Sequence, residues 1–336
     1  MDKIDFIVTW VNANDLEWRN EKEKWKKKLE INNKLNGEER YRDWDFMRYW
    51  FRAVEKYAPW VNKIFFVTQG DLPNWLNINN PKLEIVKHSD YISDEYLPTF
   101  NSNVIELNFH NIEKLSENFV LFNDDTLLND FTEPSDFFKN GNPKDTGIFS
   151  PIMPVEGISS IVFNNLTIIN KYFNSRDVFK KNYRKYFNFS YRQHMLKNFC
   201  VLPWKNILGF YDTHIPVSHK KSQFKMIHEK EPNFFKNTFS NRFRKTNEIN
   251  HWLIRYWNLC EGKFEVRRLS FGKNYEITDN LQPIEDEIMN SKHKVIGLND
   301  GGELKNFQDT KNEILRMLEK KYPEKSTFEN NDLKGE

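Results

Sequence analysis

The chain has 336 residues, of which 38% are hydrophobic and 15% aromatic, so it can bury the core of one large domain or of two domains. Its 50 lysines and arginines nearly balance 48 aspartates and glutamates, which leaves no overall charge that would favour a nucleic-acid-binding protein. Two cysteines exclude a disulfide framework, and no apolar run approaches the roughly 20 residues of a membrane-spanning helix. These features predict a soluble cytoplasmic protein that can still contact a membrane peripherally.

Strands that alternate with helices are predicted along the first part of the chain. Residues 4–11 form a β-branched and aromatic run that predicts a buried strand, and the charged run 17–35 predicts a solvated helix. A second helix is expected to begin near Asp43, a residue suited to cap it, and to end before the next proline. Residues 63–68 and 83–86 predict two further strands. This alternation indicates an α/β fold with a mainly parallel sheet, of the Rossmann-like or GT-A-like type.

An acidic pair follows the next predicted strand. Residues 101–115 have helical spacing that would place Glu106 and His110 on one face, and residues 119–122 then form a short strand that leads directly into Asp124-Asp125. Ligands of open α/β sheets bind at the carboxyl ends of strands, and adjacent carboxylates there can hold Mg²⁺ or Mn²⁺. On spacing alone, a turn that caps a helix explains the same two residues.

The second half of the chain predicts a helical insertion and a return to the sheet. Residues 159–262 are rich in lysine, asparagine and aromatic residues with helical spacing, whereas 264–271 and 295–298 predict late strands that rejoin the sheet. A closing helix is expected over 303–321. The predicted organisation is an α/β core (1–158), a helical insertion (159–262), a return to the core (263–322) and a frayed polar tail (323–336).

Histidine and arginine residues of the insertion are candidates for phosphate chemistry. His214 follows Asp212 in a loop, where an imidazole could serve as a general base or as a hydrogen-bond donor to phosphate, although many loop histidines are simply exposed. Arg242 and Arg244 precede residues 246–248, where a helix is expected to begin, and two guanidiniums beside a helix N-terminus suit a pyrophosphate. A surface basic patch next to a capping group is the alternative interpretation.

A basic cluster is interleaved with tyrosines and phenylalanines earlier in the insertion. Such a pattern could stack on RNA, but no nucleic-acid-binding module accompanies it, so a solvated helical face or a surface for an anionic polymer is favoured. The sequence contains no P-loop, no GxGxxG and no Cys/His zinc spacing, which excludes the enzyme classes that depend on them. The cluster consists of Lys180, Lys181, Arg184, Lys185, Arg192 and Lys197.

Several ordered segments resemble the Stealth family of bacterial capsule phosphotransferases, which also includes the α/β-subunit of the lysosomal-enzyme GlcNAc-1-phosphotransferase. Together they extend over most of residues 3–301 and thin out between about 136 and 200. Gly297 stands where a cysteine is common in the family, and Ala13 stands where glycine is usual. The segments are IDFIVTWVNANDLEW, RYRDWDFMRYWFRAVEKYAPWVNKIFFVTQGDLPNWLN, LPTFNSNVIELNFHNIEKLSENFVLFNDD, HIPVS, RFRKTNEIN and VIGLND.

The resemblance implies transfer of hexose-1-phosphate, such as GlcNAc-1-phosphate, from a UDP-sugar to a glycan hydroxyl in capsule or exopolysaccharide synthesis. A phosphodiester forms and UMP is released, with Mg²⁺ or Mn²⁺ as cofactor. The partners implied are a UDP-sugar donor and a glycan or lipid-linked oligosaccharide acceptor, with no nucleic acid. Peripheral association with the inner face of the cell membrane, or with the capsule-synthesis machinery, is compatible with this role.

The same resemblance assigns residues to a site. Asp124 and Asp125 are implied as metal ligands. The catalytic set comprises Arg48, Asp124, Asp125, His214 and Arg244. The substrate-binding set comprises Asn12, Asp15, Asp43, Glu106, His110, Arg242, Asn299 and Asp300.

Two other functions remain open at the level of sequence. A GT-A-like glycosyltransferase would use the acidic pair as its metal motif, attack the anomeric carbon and release UDP. A glycan-binding module would stack its aromatic residues on sugars without any turnover.

Overall fold

Strands and helices alternate along the chain in the computed structural model, which describes residues 2–12, 15–31, 34–37, 41–153, 157–302 and 304–330. Within these residues no helix is long and apolar enough to cross a bilayer. The strands are β1 (Ile4–Thr9), β2 (Ile64–Thr68), β3 (Leu83–Lys87), β4 (Asn118–Phe122), β5 (Thr126–Leu128), β6 (Phe138–Lys139), β7 (Asn142–Asp145), β8 (Val217–Lys220), β9 (Glu265–Val266), β10 (Gly272–Ile277) and β11 (Val295–Asp300). The helices are α1 (Leu16–Lys28), α2 (Met47–Tyr57), α3 (Ser102–Leu107), α4 (Pro134–Phe137), α5 (Gly157–Tyr172), α6 (Ser175–Tyr186), α7 (Met195–Cys200), α8 (Lys221–Lys230), α9 (Pro232–Phe239), α10 (Trp252–Glu261), α11 (Gln282–Asn290) and α12 (Phe307–Lys321).

The main sheet has five strands in the order β3-β2-β1-β4-β8. The strands β1 to β4 run parallel, and β8 pairs antiparallel with β4 at one edge. From β1 the chain moves outward through β2 and β3 and then returns with β4 to the other side of β1, so the strand order reverses between β1 and β4. The α/β class and the mainly parallel sheet predicted from the sequence are confirmed.

Alternate residues of the parallel strands enter two hydrophobic cores, one on each face of the sheet. In β1, Phe6 and Val8 belong to the core that includes α2 and α12, whereas Ile7 belongs to the core that includes α5 and α8 to α10. Because neighbouring side chains of a strand point to opposite faces, a strand covered on both faces is apolar at most positions. This explains why these strands are largely apolar in the sequence, although β1 contains the buried Asp5.

A second sheet contains β10, β11 and β5, and a third, smaller sheet contains β6, β7 and β9. In the second sheet β10 is parallel to β11, and β5 is antiparallel to β11. The expectation that the late strands rejoin the main sheet is therefore wrong. The strand predicted over 264–271 is present only as the two-residue β9, and the longer β10 follows it at Gly272–Ile277. Since β5 follows β4 after residues 123–125, this short turn joins the main sheet to the second sheet.

Several helix predictions differ from the structure in their bounds. The helix expected over 101–115 ends at Leu107 and is followed by a separate 3₁₀ turn, so Glu106 and His110 do not share a helical face. The second helix begins at Met47, because the Asp43 carboxylate accepts the amide of Asp45 in a preceding turn at 2.7 Å instead of capping the helix. No helix begins at residues 246–248, since α10 starts at Trp252.

The region 159–262 is largely helical, as expected, but it also contains β8, which extends the main sheet. An antiparallel edge strand from within the insertion ties it to the core through backbone hydrogen bonds. The closing helix spans Phe307–Lys321, whereas Glu303, its expected start, lies outside the described residues, as does Ala13. The boundaries of the proposed domains themselves stay a prediction.

The segment 323–330 is packed rather than frayed, which corrects the expectation for the tail. The Phe328 side chain is buried in the core beside α2, and Glu329 is buried next to it. Arg52 of α2 donates to both carboxylate oxygens of Glu329, at 2.8 and 2.9 Å, and to the carbonyl of Tyr322 at 2.7 Å. A polar segment is ordered here because a buried guanidinium requires its carboxylate. Residues 331–336 lie outside the described residues.

We expect Glu329→Ala to destabilise the fold by about 3 kcal/mol, because it leaves Arg52 buried without its bidentate partner. The midpoint of urea unfolding, followed by circular dichroism, measures this change. Glu324→Ala removes a nearby exposed carboxylate and serves as the control, for which no shift is expected. Equal midpoints for the two variants would show that the pair does not hold the tail.

Candidate active site

A cleft of about 830 Å³ lies at the carboxyl ends of β1, β4 and β11. Residues 212–217 and 250–252 of the insertion also line it. The cleft coincides with the reversal of strand order between β1 and β4, where open α/β sheets bind their ligands, which makes it the candidate active site. The structure brings together here eight of the residues singled out in the sequence, namely Asp43, Glu106, Asp124, Asp125, His214, Arg244, Asn299 and Asp300.

Asp124 and Asp125 occupy the turn that joins the two sheets. The Leu298 amide of β11 donates to the Asp125 carbonyl at 2.8 Å, which fixes the turn from the side of the second sheet. Asp124 is exposed in the cleft, whereas Asp125 Oδ1 is buried and has no hydrogen-bond partner among the described residues. Although Asp124 is open to the cleft, the surrounding protein limits its solvation, and this desolvation together with the charges of Asp125 and Asp43 raises its pKa. Burial raises the pKa of Asp125 against the charge of His214. Two carboxylates crowded in this way favour a bound cation.

His214 lies on the opposite wall, close enough to Asp125 for their charges to interact. Its amide donates to Asp212 Oδ1 at 3.0 Å, and its Nδ1 lies 3.8 Å from Asp212 Oδ2. The hydrogen bond from the His214 amide helps to hold this residue at a φ of 48°. This left-handed conformation costs a residue with a β-carbon about 1 kcal/mol. The nearby carboxylate of Asp212 raises the pKa of the imidazole in spite of its partial burial. The arrangement is that of a base oriented by a carboxylate.

Asp212 is in turn linked to the insertion through Arg255 of α10. The guanidinium pairs with both oxygens of Asp145, at 2.7 and 2.9 Å, and lies 3.9 Å from Asp212. Burial alone would raise the pKa of Asp212, but the hydrogen bond with His214 and the charge of Arg255 hold it below its ordinary value. Asp212 therefore stays ionised and keeps its hold on the imidazole.

Arg244 enters the cleft from a loop whose backbone is clamped by Asn36. The Asn36 side chain accepts from the Arg244 amide at 3.1 Å and donates to the Arg244 carbonyl at 3.0 Å. The guanidinium donates to Ser102 Oγ, and Ser102 is hydrogen-bonded to Glu106. Burial raises the pKa of Glu106 to about 7, although Arg244 and Ser102 oppose the shift. Ser102 thus orients the Arg244 guanidinium near Glu106, a carboxyl that remains partly protonated near neutral pH.

Asp300 and Asp43 form a further acidic wall. Asp300 Oδ2 accepts from Arg42 Nη1 at 3.4 Å and from Trp44 Nε1 at 3.3 Å, and its Oδ1 accepts from the Gly302 amide at 2.8 Å. Burial raises the pKa of Asp43, whose charge also raises that of Asp124. The turn over residues 42–44 therefore places the carboxylate of Asp43 near the end of β11 and also supplies Arg42 as the partner of Asp300.

Five predicted site residues lie outside the described lining of the cleft. Arg48 stacks over Trp75 and lies 3.7 Å from Glu329, so it faces the packed tail. Arg242 stacks over the Trp25 ring, and His110 lies 3.4 Å from His228 on the other side of α3. Asp15 caps α1, and Asn12 donates to Asp71. The site roles of these five residues stay predictions, and the structure gives Arg48, His110 and Arg242 other contacts.

Other lining residues were not singled out in the sequence. Asp212 could have been predicted from the sequence, because an aspartate in a turn commonly accepts a hydrogen bond from the backbone amide two positions later. No comparable sequence pattern indicated that His251 would line the cleft. It is buried 3.8 Å from Glu106 and 3.1 Å from His219, and burial lowers its pKa to about 3, so it is a neutral wall residue. Among the described residues, no group of three or more His, Cys, Asp or Glu side chains is arranged to hold a metal ion.

Two conserved regions of a known family match this chain. They are the Stealth protein CR1, conserved region 1, over residues 2–30, and the Stealth protein CR2, conserved region 2, over residues 40–145. The capsular polysaccharide phosphotransferase WcwK of Streptococcus pneumoniae is 56% identical over 330 residues, which cover 98% of each chain. The exopolysaccharide phosphotransferase cps2G of Lactiplantibacillus plantarum is 39% identical over 97% of this chain and 96% of that protein. Among solved structures, the galactosyltransferase LgtC in complex with donor and acceptor sugar analogues gives a TM-score of 0.40 at 9% identity, over 94% of this chain and 95% of that chain.

The buried Glu106 leads to a pH-dependent difference in stability between the wild type and Glu106→Gln. Folding raises its pKa from an ordinary value of 4.5 to about 7. Below pH 4.5 the carboxyl is protonated in both states and has no effect, whereas above pH 7 the folded state must bury a charge. We therefore expect Glu106→Gln to gain about 3 kcal/mol of unfolding free energy relative to the wild type as pH rises across this window.

Urea midpoints of both proteins at pH 5 and pH 8 measure this effect. Glu324→Gln, which replaces an exposed carboxyl, should show no pH-dependent difference from the wild type. A constant difference between Glu106→Gln and the wild type would contradict the pKa that burial gives this carboxyl.

Proposed function

We infer the activity from membership of the Stealth family of capsular and exopolysaccharide phosphotransferases, to which this chain belongs, and propose that it transfers hexose-1-phosphate from a UDP-sugar to a glycan hydroxyl. The products would be a sugar phosphodiester and UMP. The relatives that share nearly the whole chain are transferases, and the cleft carries the groups that a phosphoryl transfer requires. The acceptor in this proposal is a glycan or a lipid-linked oligosaccharide on the cytoplasmic side of the membrane.

The observation that carries the proposal is the paired carboxylate of Asp124 and Asp125 in a cleft whose described lining is strongly acidic. A diphosphate is itself an anion and would be repelled by such a wall unless positive charge accompanies it. The carboxylates of the described lining outnumber its guanidiniums. The guanidiniums are those of Arg42 and Arg244. The carboxylates are those of Asp43, Glu106, Asp124, Asp125, Asp212, Glu276 and Asp300.

The acidic pair fits a divalent cation. Asp125 Oδ1 is a buried carboxylate oxygen without a partner among the described residues. Desolvation raises the pKa of both aspartates, and the charges of Asp125 and Asp43 add to the shift of Asp124. Oxygen ligands of this kind are those that Mg²⁺ and Mn²⁺ prefer. When bound to Asp124 and Asp125, the cation would supply charge neutralisation for the diphosphate of the donor.

His214 and Arg244 would perform the steps that the protein itself contributes. His214 would take the proton of the acceptor hydroxyl, because Asp212 orients its imidazole and raises its pKa. Arg244, directed by Ser102, would stabilise charge on the transferred phosphoryl group. Arg48 has no part in this proposal, since it faces Glu329 outside the cleft.

The bonds in this proposal balance without a further reactant. The acceptor oxygen forms a bond to the β-phosphorus of the UDP-sugar while the bond from that phosphorus to the bridging oxygen breaks. The hydroxyl proton passes to His214, and the bridging oxygen leaves with UMP. Positioning and electrostatic stabilisation account for most of the catalysis in such transfers.

The fate of the β-phosphorus separates this reaction from the alternative attack on the anomeric carbon. Purified protein incubated with UDP-hexoses, an oligosaccharide acceptor and Mg²⁺ should release UMP and leave the β-phosphorus in the glycan as a phosphodiester, which phosphorus NMR detects. Asp125→Asn should slow this transfer by about a hundredfold or more. Asp94→Asn, which changes an exposed aspartate, should leave the rate unchanged. UDP as the sole nucleotide product would establish a glycosyltransferase instead.

The pH dependence tests the role of the Asp212–His214 pair. Only the neutral imidazole accepts a proton, so kcat/KM should rise with pH through the raised pKa of His214. Asp212→Asn keeps an acceptor for the His214 amide but removes the charge, so the pKa of His214 should fall. We expect the acidic limb of the profile to move about one unit toward lower pH and the plateau to fall about tenfold or more. An acidic limb at the same pH in both enzymes would exclude His214 as the base.

A further inference from the structure

A strongly basic stretch lies on the surface of the insertion. From Val178 to Tyr211 the sequence contains no aspartate or glutamate, although the whole chain has a formal net charge of only +2. Most of its cations are exposed, and Lys185 is the one for which the described part of the chain provides an acidic partner, Glu265 of β9. The stretch therefore presents concentrated positive charge through Lys180, Lys181, Arg184, Lys185, Arg192, Lys197 and Lys205.

The same stretch exposes large apolar side chains. Phe189 is 88% exposed, Leu196 61% and Trp204 53%, and Phe199 and Leu202 are exposed beside them. Isolated exposed apolar residues are common, but a succession of them within sixteen positions (189–204) is a feature of interaction surfaces. Residues 189–204, together with the exposed cations from Lys180 to Lys205, are called the basic-aromatic face below.

The chemistry of this face fits an anionic lipid bilayer. Tryptophan and phenylalanine settle at the boundary between headgroups and acyl chains, where leucine enters the apolar layer and arginine and lysine contact phosphate. A second copy in a twofold contact would bring two strongly positive faces together, which electrostatics disfavours. Single-stranded nucleic acid would use stacking aromatics but gains nothing from exposed leucines.

We propose that the basic-aromatic face docks this protein peripherally on anionic phospholipid membranes. Exposed Phe189, Leu196 and Trp204 enter the interface, while Arg184, Arg192 and Lys205 contact lipid phosphates.

The face is continuous with one wall of the cleft. The His194 ring packs 5.2 Å from the Tyr211 ring, and Lys197 Nζ lies 4.5 Å from its centroid. The residue after Tyr211 is Asp212, which orients His214. Docking would therefore place the cleft wall near the bilayer, where a lipid-linked acceptor resides. This last point rests on the proposed function, whereas docking itself does not.

Vesicle co-sedimentation of the purified full chain tests the proposal. We expect binding to vesicles that contain phosphatidylglycerol and phosphatidylcholine in a ratio of about three to seven, and little binding to vesicles of phosphatidylcholine alone. Phe189→Ser, Leu196→Ser and Trp204→Ser combined should weaken the partition coefficient about tenfold or more. Arg184→Gln, Arg192→Gln and Lys205→Gln combined should weaken it by about a hundredfold at low salt and abolish the preference for anionic lipid.

Matched controls keep the outcome interpretable. Ile78→Ser removes an exposed apolar side chain elsewhere, and Lys24→Gln, Lys139→Gln and Lys320→Gln combined remove three exposed cations elsewhere. Both controls should bind as the wild type does, and circular dichroism should show every variant folded. Equal sedimentation of the wild type with and without anionic vesicles would overturn the proposal. The proposal would also be overturned if the two combined variants of the basic-aromatic face bound anionic vesicles as well as the wild type does. It would fail likewise if the protein were a dimer that the same substitutions dissociate. Because the assay measures no transfer, its result is independent of the proposed reaction.

Discussion

Crowding of negative charge at one junction of the fold is the constraint on which the rest of the site depends. The Asp124–Asp125 turn joins the main sheet to the second sheet, and Asp43 and Asp300 lie on the wall beside it. Desolvation raises the pKa of both members of the pair, and the charges of Asp125 and Asp43 raise that of Asp124 further. The fold tolerates this because backbone bonds from β11 fix the turn and because Arg42 neutralises part of the charge on Asp300. In the proposed function, the divalent cation would supply the positive charge that this arrangement lacks.

The strands could be predicted from the sequence because their environment imposes one simple pattern. A strand such as β1 has a core on each face and is therefore apolar at most positions, whereas its buried Asp5 is satisfied by hydrogen bonds from Asn62 and Ser116. Helix starts were harder to predict, because side-chain acceptors have more than one use. Asp43 accepts an amide within a turn, and buried Glu248 accepts from Asn101 and Asn103 at 2.9 and 2.7 Å rather than joining a helical first turn. The sequence shows the acceptor but not its donor.

The candidate site was predictable where strand ends determine position. Asp124, Asp125, Asn299 and Asp300 follow β4 or end β11, so knowledge of the strands nearly places them. The positions of side chains on helices and loops could not be predicted in this way, because residues adjacent in sequence there point in different directions. Arg48 shares a segment with Asp43 but lies on α2, and its side chain reaches Glu329, which is distant in sequence. Family resemblance assigns a role to a segment, whereas only packing decides which of its side chains reaches the cleft.

The two halves of the chemistry come from different parts of the chain, so their alignment must be maintained by the loop that carries His214. This loop is fixed at both ends. The Tyr211 amide donates to the Ile148 carbonyl at 2.8 Å, and Val217 begins β8, which pairs with β4 immediately before the acidic turn. Gly297 permits β11 to approach closely, since a β-carbon there would lie 3.1 Å from the His214 carbonyl oxygen and 2.3 Å from Asn274 Oδ1. The antiparallel strand thus does more than extend the sheet, because it holds the proposed base against the carboxylates at the end of the neighbouring strand.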